Sequence, residues 1–229
     1  RFTELGSEGV DLLMADSTNV ELPGYTVSER SVGKTFMSLF DGVESRILVA
    51  TFASNIHRVQ QVADAARAHN RKVAISGRSM VNVTKTAREL GYLHIPDDCI
   101  VDIRDINKYE PNEIVVITTG SQGEPLAALS RMSAGEYRQL SINRGDLVII
   151  SASAIPGNEK MITKVINNLY KLGAEVVYEK LADIHVSGHA KQDELKLIHT
   201  LVNPKFFMPV HGEYRMLMRH AQLAEELGM

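Results

Sequence analysis

Short β-branched runs alternate with amphipathic segments along nearly the whole chain, and this alternation restricts the fold more than any other feature. Residues 10–15, 46–51, 72–76, 113–118, 146–151, 175–178 and 205–210 read as buried strands. Between them the spacing predicts helices over 28–40, 55–69, 80–90, 134–140, 159–172, 193–201 and 214–227. Val59, Val62, Ala63 and Ala66 recur at i, i+3, i+4 and i+7, the apolar stripe of a helix lying on a sheet. Gly91 and Gly173 each follow an apolar helical run and precede a strand, where a helix is expected to stop. Strand–helix repetition of this kind predicts an α/β fold, a mostly parallel sheet with helices on both faces. Ligands of such sheets sit beyond the carboxyl ends of the strands, so chemistry is sought in the loops that follow them.

Those loops are rich in Gly, Ser, Asn and His. They include Asp16-Ser-Thr-Asn19, the stretch 52–57 with Ser54 and Asn55, Gly77-Arg-Ser79, the stretch 118–125 with Ser121, the stretch 151–158 with Ser153, His185-Val-Ser-Gly-His189 and His211-Gly-Glu213. Hydroxyls, small residues and free amides ahead of helix N-termini are what a phosphate group needs. Taken as seven loops at one sheet edge, they predict a phosphate-bearing substrate. Charge does not contradict this: the chain as a whole carries −3, so any nucleic-acid contact is a local patch. Residues 28–90 hold ten Lys and Arg against five acids. Most of these cations read as solvated helix faces, but Arg58 and Arg78 lie in or beside post-strand loops and read as phosphate contacts. The single cysteine, Cys99, excludes an intrachain disulfide and fits a reducing compartment. No apolar run approaches the ~20 residues of a membrane span. The expectation is a soluble, cytoplasmic protein, and an Arg at position 1 reads as a fragment of something longer.

Of eight histidines, His69, His94, His199 and His220 fall where no polar company is evident and read as structural or surface residues. His185, His189 and His211 follow predicted strands and could converge; imidazole is the commonest general acid and metal ligand near neutral pH. Spacing alone does not complete a metal site. His185 and His189 lack the helix and adjacent Glu of a zincin, no His-x-His pair exists, and a catalytic zinc needs three protein ligands. A Gly-x-Ser-x-Gly elbow is also absent.

Several of these strings together resemble one family. Asp16-Ser-Thr-Asn19, Phe52-Ala-Ser-Asn-Ile-His-Arg58, Thr119-Gly-Ser-Gln-Gly-Glu-Pro125, Ser153-Ala-Ile-Pro-Gly-Asn-Glu159, His185-Val-Ser-Gly-His-Ala190 and Pro209-Val-His-Gly-Glu-Tyr214 are similar to the bacterial ribonuclease J family. That family belongs to the β-CASP group of metallo-β-lactamase-fold nucleases. The resemblance runs from about residue 10 to the end. It implies a Rossmann-like β-CASP domain over 29–180, inserted into a partial metallo-β-lactamase (αββα) portion made of 1–28 and 181–229.

The same resemblance implies roles. Asp16 matches an acid that orients a metal-ligand histidine; a ligand imidazole needs a partner for its other nitrogen. His189 matches a residue that holds the scissile phosphate and assists the leaving group. His211 matches a metal ligand, and the two histidines stand 22 residues apart as in the family. Ser187 and Gly188 are implied phosphate contacts, joined by Ser54, Arg58, Arg78, Ser121 and Ser153 from the loop reading. The implied activity is zinc-dependent hydrolysis of single-stranded RNA, 5′-to-3′ and internal. Two zinc ions belong to the full-length protein, and the site is incomplete here because the other family ligands lie upstream. The implied assembly is a homo-oligomer or a hetero-oligomer of paralogues, without a membrane. The competing expectation is a non-catalytic RNA-binding or assembly subunit.

Overall fold

The computed structural model describes residues 1–155, 157–179 and 181–229. In chain order the elements are α1 (Phe2–Glu8), β1 (Leu12–Asp16), α2 (Arg30–Phe40), β2 (Ile47–Ala50), α3 (Ile56–Ala68), β3 (Lys72–Ile75), α4 (Arg78–Glu89), β4 (Ile100–Val101), β5 (Ile114–Thr118), α5 (Ala128–Ser133), β6 (Leu147–Ile150), α6 (Glu159–Lys171), β7 (Glu175–Tyr178), α7 (Gln192–Val202), β8 (Phe206–Val210) and α8 (Tyr214–Glu226). They form two compact units: Glu29–Val186, and Arg1–Ser28 together with Ser187–Met229.

The larger unit holds a six-stranded parallel sheet in the order β4-β3-β5-β2-β6-β7. Its central strands β5 and β2 are buried at every position, and apolar at all but Thr118, because both faces are covered. Alternation then assigns each residue to a face. Ile47, Val49, Val73, Val115, Ile117 and Ile149 join one core, with Val59 and Val62 of α3 and Met80 of α4. Leu48, Ala50, Ala74, Val116, Val148 and Ile150 join the other, with Leu129 of α5 and Val165 and Leu169 of α6. Burying one such aliphatic side chain contributes roughly 1.5–3 kcal/mol, which makes these strands the most firmly held part of the unit. The Asn55 side chain accepts from the Arg58 N–H and starts α3 immediately after β2. Ala182, Ile184 and Val186 pack on the first core, which carries the unit past the expected boundary at 180 to Val186.

The smaller unit pairs β1 with β8 in parallel, with Asp16 opposite Val210. Val20, Leu195 of α7 and Leu223 of α8 form its core, with Met216 packed against them.

The structure corrects the sequence reading in three places. The strands do not form one sheet, so the loops after β1 and β8 do not share an edge with those after β2, β3, β5 and β6. The predicted helix over 134–140 is absent; the helix lies earlier, at α5, and stops where Gly135 takes φ +73°. Its apolar residues Leu129 and Met132 are the buried ones. The two-residue strand β4 and helix α1 were not predicted.

Candidate functional site

In the smaller unit, parallel pairing brings the carboxyl ends of β1 and β8 together, so Asp16 and His211 leave the sheet side by side. Asp16 Oδ2 lies 2.9 Å from His211 Nδ1 and 3.1 Å from His189 Nδ1. A carboxylate only accepts, so both imidazoles must be protonated at Nδ1. Each then presents an Nε2 lone pair away from the acid. The other carboxylate oxygen is fixed by the Thr18 N–H at 3.0 Å, and Thr18 Oγ1 adds a contact of 2.8 Å to His211 Nδ1. The two rings stack with centroids 5.3 Å apart and planes 21° from parallel. His211 holds φ +58°, a conformation uncommon outside glycine and one that clusters at functional sites. The loop carrying His189 is pinned by Asn19, whose Nδ2 donates to Ser187 Oγ and to the His189 carbonyl, both at 3.0 Å. Ser187 Oγ also accepts the His189 N–H at 3.2 Å. Its acceptor capacity therefore holds the loop, and its hydroxyl proton remains to donate. Gly188 faces open space.

Beneath Asp16 lies an arrangement that the sequence reading missed. Ser17 Oγ is 3.0 Å from His220 Nδ1, and His220 Nε2 is 3.2 Å from His199 Nε2. All three residues are buried, and Phe207 packs edge-on against both rings. His199 and His220 were expected to lack polar company; instead they form a hydrogen-bonded column that ends on the residue next to Asp16. The signal was present in the sequence, as histidines on the apolar faces of α7 and α8, but the Ser17 partner of His220 lies 203 residues away. Burial pushes the His220 pKa down to about 4, and that of His199 is lowered too.

The phosphate contacts expected in the larger unit are dispersed. Ser54, Arg78, Ser121 and Ser153 follow β2, β3, β5 and β6, all at the carboxyl edge of the sheet. Ser54 and Arg78 are exposed, Ser121 is buried, and Ser153 is half-buried. Ser153 Oγ bonds the Glu179 carboxylate and lies 2.6 Å from His185 Nδ1. Burial and the nearby Arg58 guanidinium lower the pKa of His185. Gln122 is a buried brace, donating to the Ser153 carbonyl at 2.7 Å and accepting the Ile155 N–H at 2.8 Å. Arg58 is corrected outright. It is fully buried, forks onto both oxygens of Glu29 at 2.6 and 2.8 Å, and donates to the Ser151 and Ile184 carbonyls at 3.1 and 2.8 Å. Its guanidinium is committed inside the protein and reaches no ligand.

Asp16, His189 and His211 place one ligand atom each within 4.8 Å of one another. Imidazole nitrogens beside a carboxylate suit zinc, and a carboxylate on the far nitrogen raises the basicity of a ligating histidine. The residues fit a share of a metal centre: two uncommitted Nε2 lone pairs oriented by one acid.

Residues 44–169 match the family model described as the ribonuclease J β-CASP domain, and residues 173–229 match that of the Zn-dependent metallo-hydrolase RNA specificity domain. The chain is similar to ribonuclease J of Helicobacter pylori strain 26695, 48% identical over 229 residues, which is 100% of this chain and 33% of the relative. It is 49% identical to ribonuclease J of Mycobacterium tuberculosis H37Rv over 227 residues, 99% of this chain and 41% of the relative. The Synechocystis ribonuclease J is 47% identical over 229 residues, 100% of this chain and 36% of the relative. The chain thus spans well under half the length of these curated relatives. Among the described residues no helix is long and apolar enough to cross a membrane.

Proposed function

Because this chain belongs to the ribonuclease J family, we propose that it is the β-CASP-bearing part of a metal-dependent ribonuclease that hydrolyses phosphodiesters of single-stranded RNA. One observation carries the reading: a single carboxylate oxygen of Asp16 meets Nδ1 of both His189 and His211, leaving both Nε2 atoms open on one side. In this assignment Glu29–Val186 is the β-CASP domain, and the smaller unit is the share of the metallo-β-lactamase domain that carries the three residues. His211 is a zinc ligand through Nε2. Asp16 is a positioning residue: it fixes the tautomer and aim of both rings. In its doubly protonated form, with Nδ1–H on Asp16 and Nε2–H on the scissile phosphate, His189 gives the Nε2 proton to the sugar oxygen that leaves as the phosphorus–oxygen bond breaks. Ser187 donates its hydroxyl proton to a phosphate oxygen. Bound zinc, two ions in the full-length protein, supplies an activated water and offsets charge developing on phosphorus. The protein acts in the cytoplasm on RNA in both 5′-to-3′ and internal modes, as an oligomer of like or paralogous chains. The 229-residue chain alone is inactive, since one ligand histidine and its orienting acid do not make a catalytic zinc site.

The test is hydrolysis of 5′-monophosphorylated single-stranded RNA by the longer polypeptide containing this segment, with chelation and zinc add-back. Loss of cleavage in His211→Ala, and lowered turnover with RNA still bound in His189→Ala, are the expected results. Full activity in His211→Ala would overturn the assignment. RNA binding with no cleavage by the unmutated polypeptide would instead favour a non-catalytic RNA-binding subunit.

A further inference from the structure

In the sheet of the larger unit the adjacent strands β3 and β5 send the chain in opposite directions. From β3 the chain leaves through α4 to β4, away from β5; from the adjacent β5 it leaves through α5 to β6, on the other side. In open α/β sheets such a reversal opens a crevice at the carboxyl ends of the two strands, and that is where ligands bind. Here the crevice is a cleft of about 920 Å³, in the size range of small-molecule sites.

The lining has two chemistries. Arg78, Arg131 and Arg138 reach it against one acid, Glu124. Among the described residues Arg78 and Arg138 are exposed and make no hydrogen bond or ion pair. Arg131 is held in place: its guanidinium lies 5.5 Å over the Tyr137 ring and donates to the Glu136 carbonyl at 3.0 Å. Tyr137 in turn is fixed through its hydroxyl, 2.9 Å from both Ser76 Oγ and Gln139 Oε1. Three guanidiniums, one of them braced and two uncommitted, suit the oxygens of a phosphate ester. Beside them Leu126 is 91% exposed and Val81 45% exposed, an apolar wall left to water. The floor is tight: a Cβ on Gly77 would meet Thr119 Oγ1 at 2.5 Å, because the Thr119 side chain already fills the space beside it. A bare anion would leave the apolar wall uncovered and most of the volume unfilled. A phosphorylated nucleoside satisfies both halves.

We propose that this cleft is a nucleotide-binding site, with Arg78 and Arg138 on the phosphates and the base against Val81 and Leu126. It extends the phosphate role of Arg78 to a defined ligand. It rests on the larger unit alone and does not depend on the nuclease reading. The nucleotide is either free or one unit of an RNA strand, and the two sources are separable. Calorimetric titration of the 229-residue chain with ADP is the experiment, with adenosine, inorganic phosphate and a 5′-hydroxyl hexaribonucleotide in parallel. Saturable ADP binding is expected, at least tenfold tighter than adenosine or phosphate and weakened at least tenfold in Arg78→Ala/Arg138→Ala. Both arginines are exposed and unpaired, so the double variant should keep the thermal midpoint of the parent. Competition by the hexaribonucleotide assigns the site to RNA; binding of ADP without such competition assigns it to the free nucleotide. Absence of saturable ADP binding at millimolar concentration would overturn the proposal. So would ADP binding that the double variant leaves unchanged.

Discussion

His199 and His220 meet Nε2 to Nε2 at 3.2 Å inside the smaller unit, with His220 wholly shielded from water. Only one proton can lie between those nitrogens, so at least one ring is neutral in the folded state. The other His199 nitrogen, Nδ1, is buried without a partner. An acceptor lone pair is cheaper to leave unmet than an N–H, which favours His199 Nε2–H donating to His220 and His220 Nδ1–H donating to Ser17 Oγ.

This pair makes stability fall with acid. Burial lowers the His220 pKa to about 4 and lowers that of His199 as well, whereas an unfolded histidine titrates near 6.5. Between those values the unfolded chain binds more protons than the folded one, so the stabilisation is complete above about pH 6.5. It is lost as pH falls toward 4, by up to about 1.4 kcal/mol per pH unit for each histidine. Urea unfolding at pH 7.5, 6 and 5 should show this slope. In His220→Gln it should shrink; an unchanged slope would mean that other groups set the acid limit.

In the larger unit the fully buried Arg58 forks onto the half-buried Glu29. Removing one partner leaves the other charge uncompensated and strips the Ser151 and Ile184 carbonyls of a donor. Arg58→Ala should lower stability by about 3–5 kcal/mol. Arg58→Lys should recover little, because an ammonium cannot span both carboxylate oxygens and the two carbonyls. Denaturant unfolding of both variants is the check, and a loss under 1 kcal/mol in Arg58→Ala would refute the structural role.

How far the sequence revealed this follows from which interactions are local. Short apolar runs at β2, β3, β5 and β6 and stripes along α3 and α6 record burial locally, so those elements were legible. The split into two sheets entered only through the family resemblance, because nothing in the local pattern near residues 12–16 says that their partner is 206–210. Arg58 shows the same limit in the site. A cation in a Ser- and Asn-rich loop resembles an anion contact until Glu29 and the Ser151 carbonyl, distant in sequence, are seen to close around it. Asp16, His189 and His211 were picked out as family motifs; the shared oxygen that joins them is a tertiary fact. His94, expected to be a surface or structural residue, is exposed, whereas His220 sits at the centre of a core.

Asp16 dictates tautomers, and that is measurable in this chain without metal. Free imidazole favours the Nε2–H form, so the Nδ1–H form at His189 and His211 depends on the carboxylate. Long-range nitrogen–proton spectra above pH 7.5 should show both rings as Nδ1–H, and Asp16→Ala should return both to Nε2–H. In the longer protein, Asp16→Asn should weaken zinc affinity by about 10–100-fold. If the tautomers are unchanged in Asp16→Ala, the acid does not orient the rings.

Gly123 offers a separation of backbone strain from packing. It holds φ +72°, and a Cβ there would lie 2.6 Å from the Met161 carbonyl carbon and 2.7 Å from the Ile162 nitrogen, both backbone atoms of α6. Gly91 holds nearly the same φ, +74°, but a Cβ on it meets nothing within 4 Å. Gly91→Ala therefore reads the left-handed strain alone, about 1–2 kcal/mol. Gly123→Ala adds the displacement of a helix that cannot yield by a rotamer change, a further 1–3 kcal/mol on the scale of overpacked cores. The measured quantity is the difference between the two losses in chemical unfolding. Equal losses would mean that the loop over 120–124 moves freely away from α6, and the bracing of Ser153 and Ile155 by Gln122 would then not be rigid.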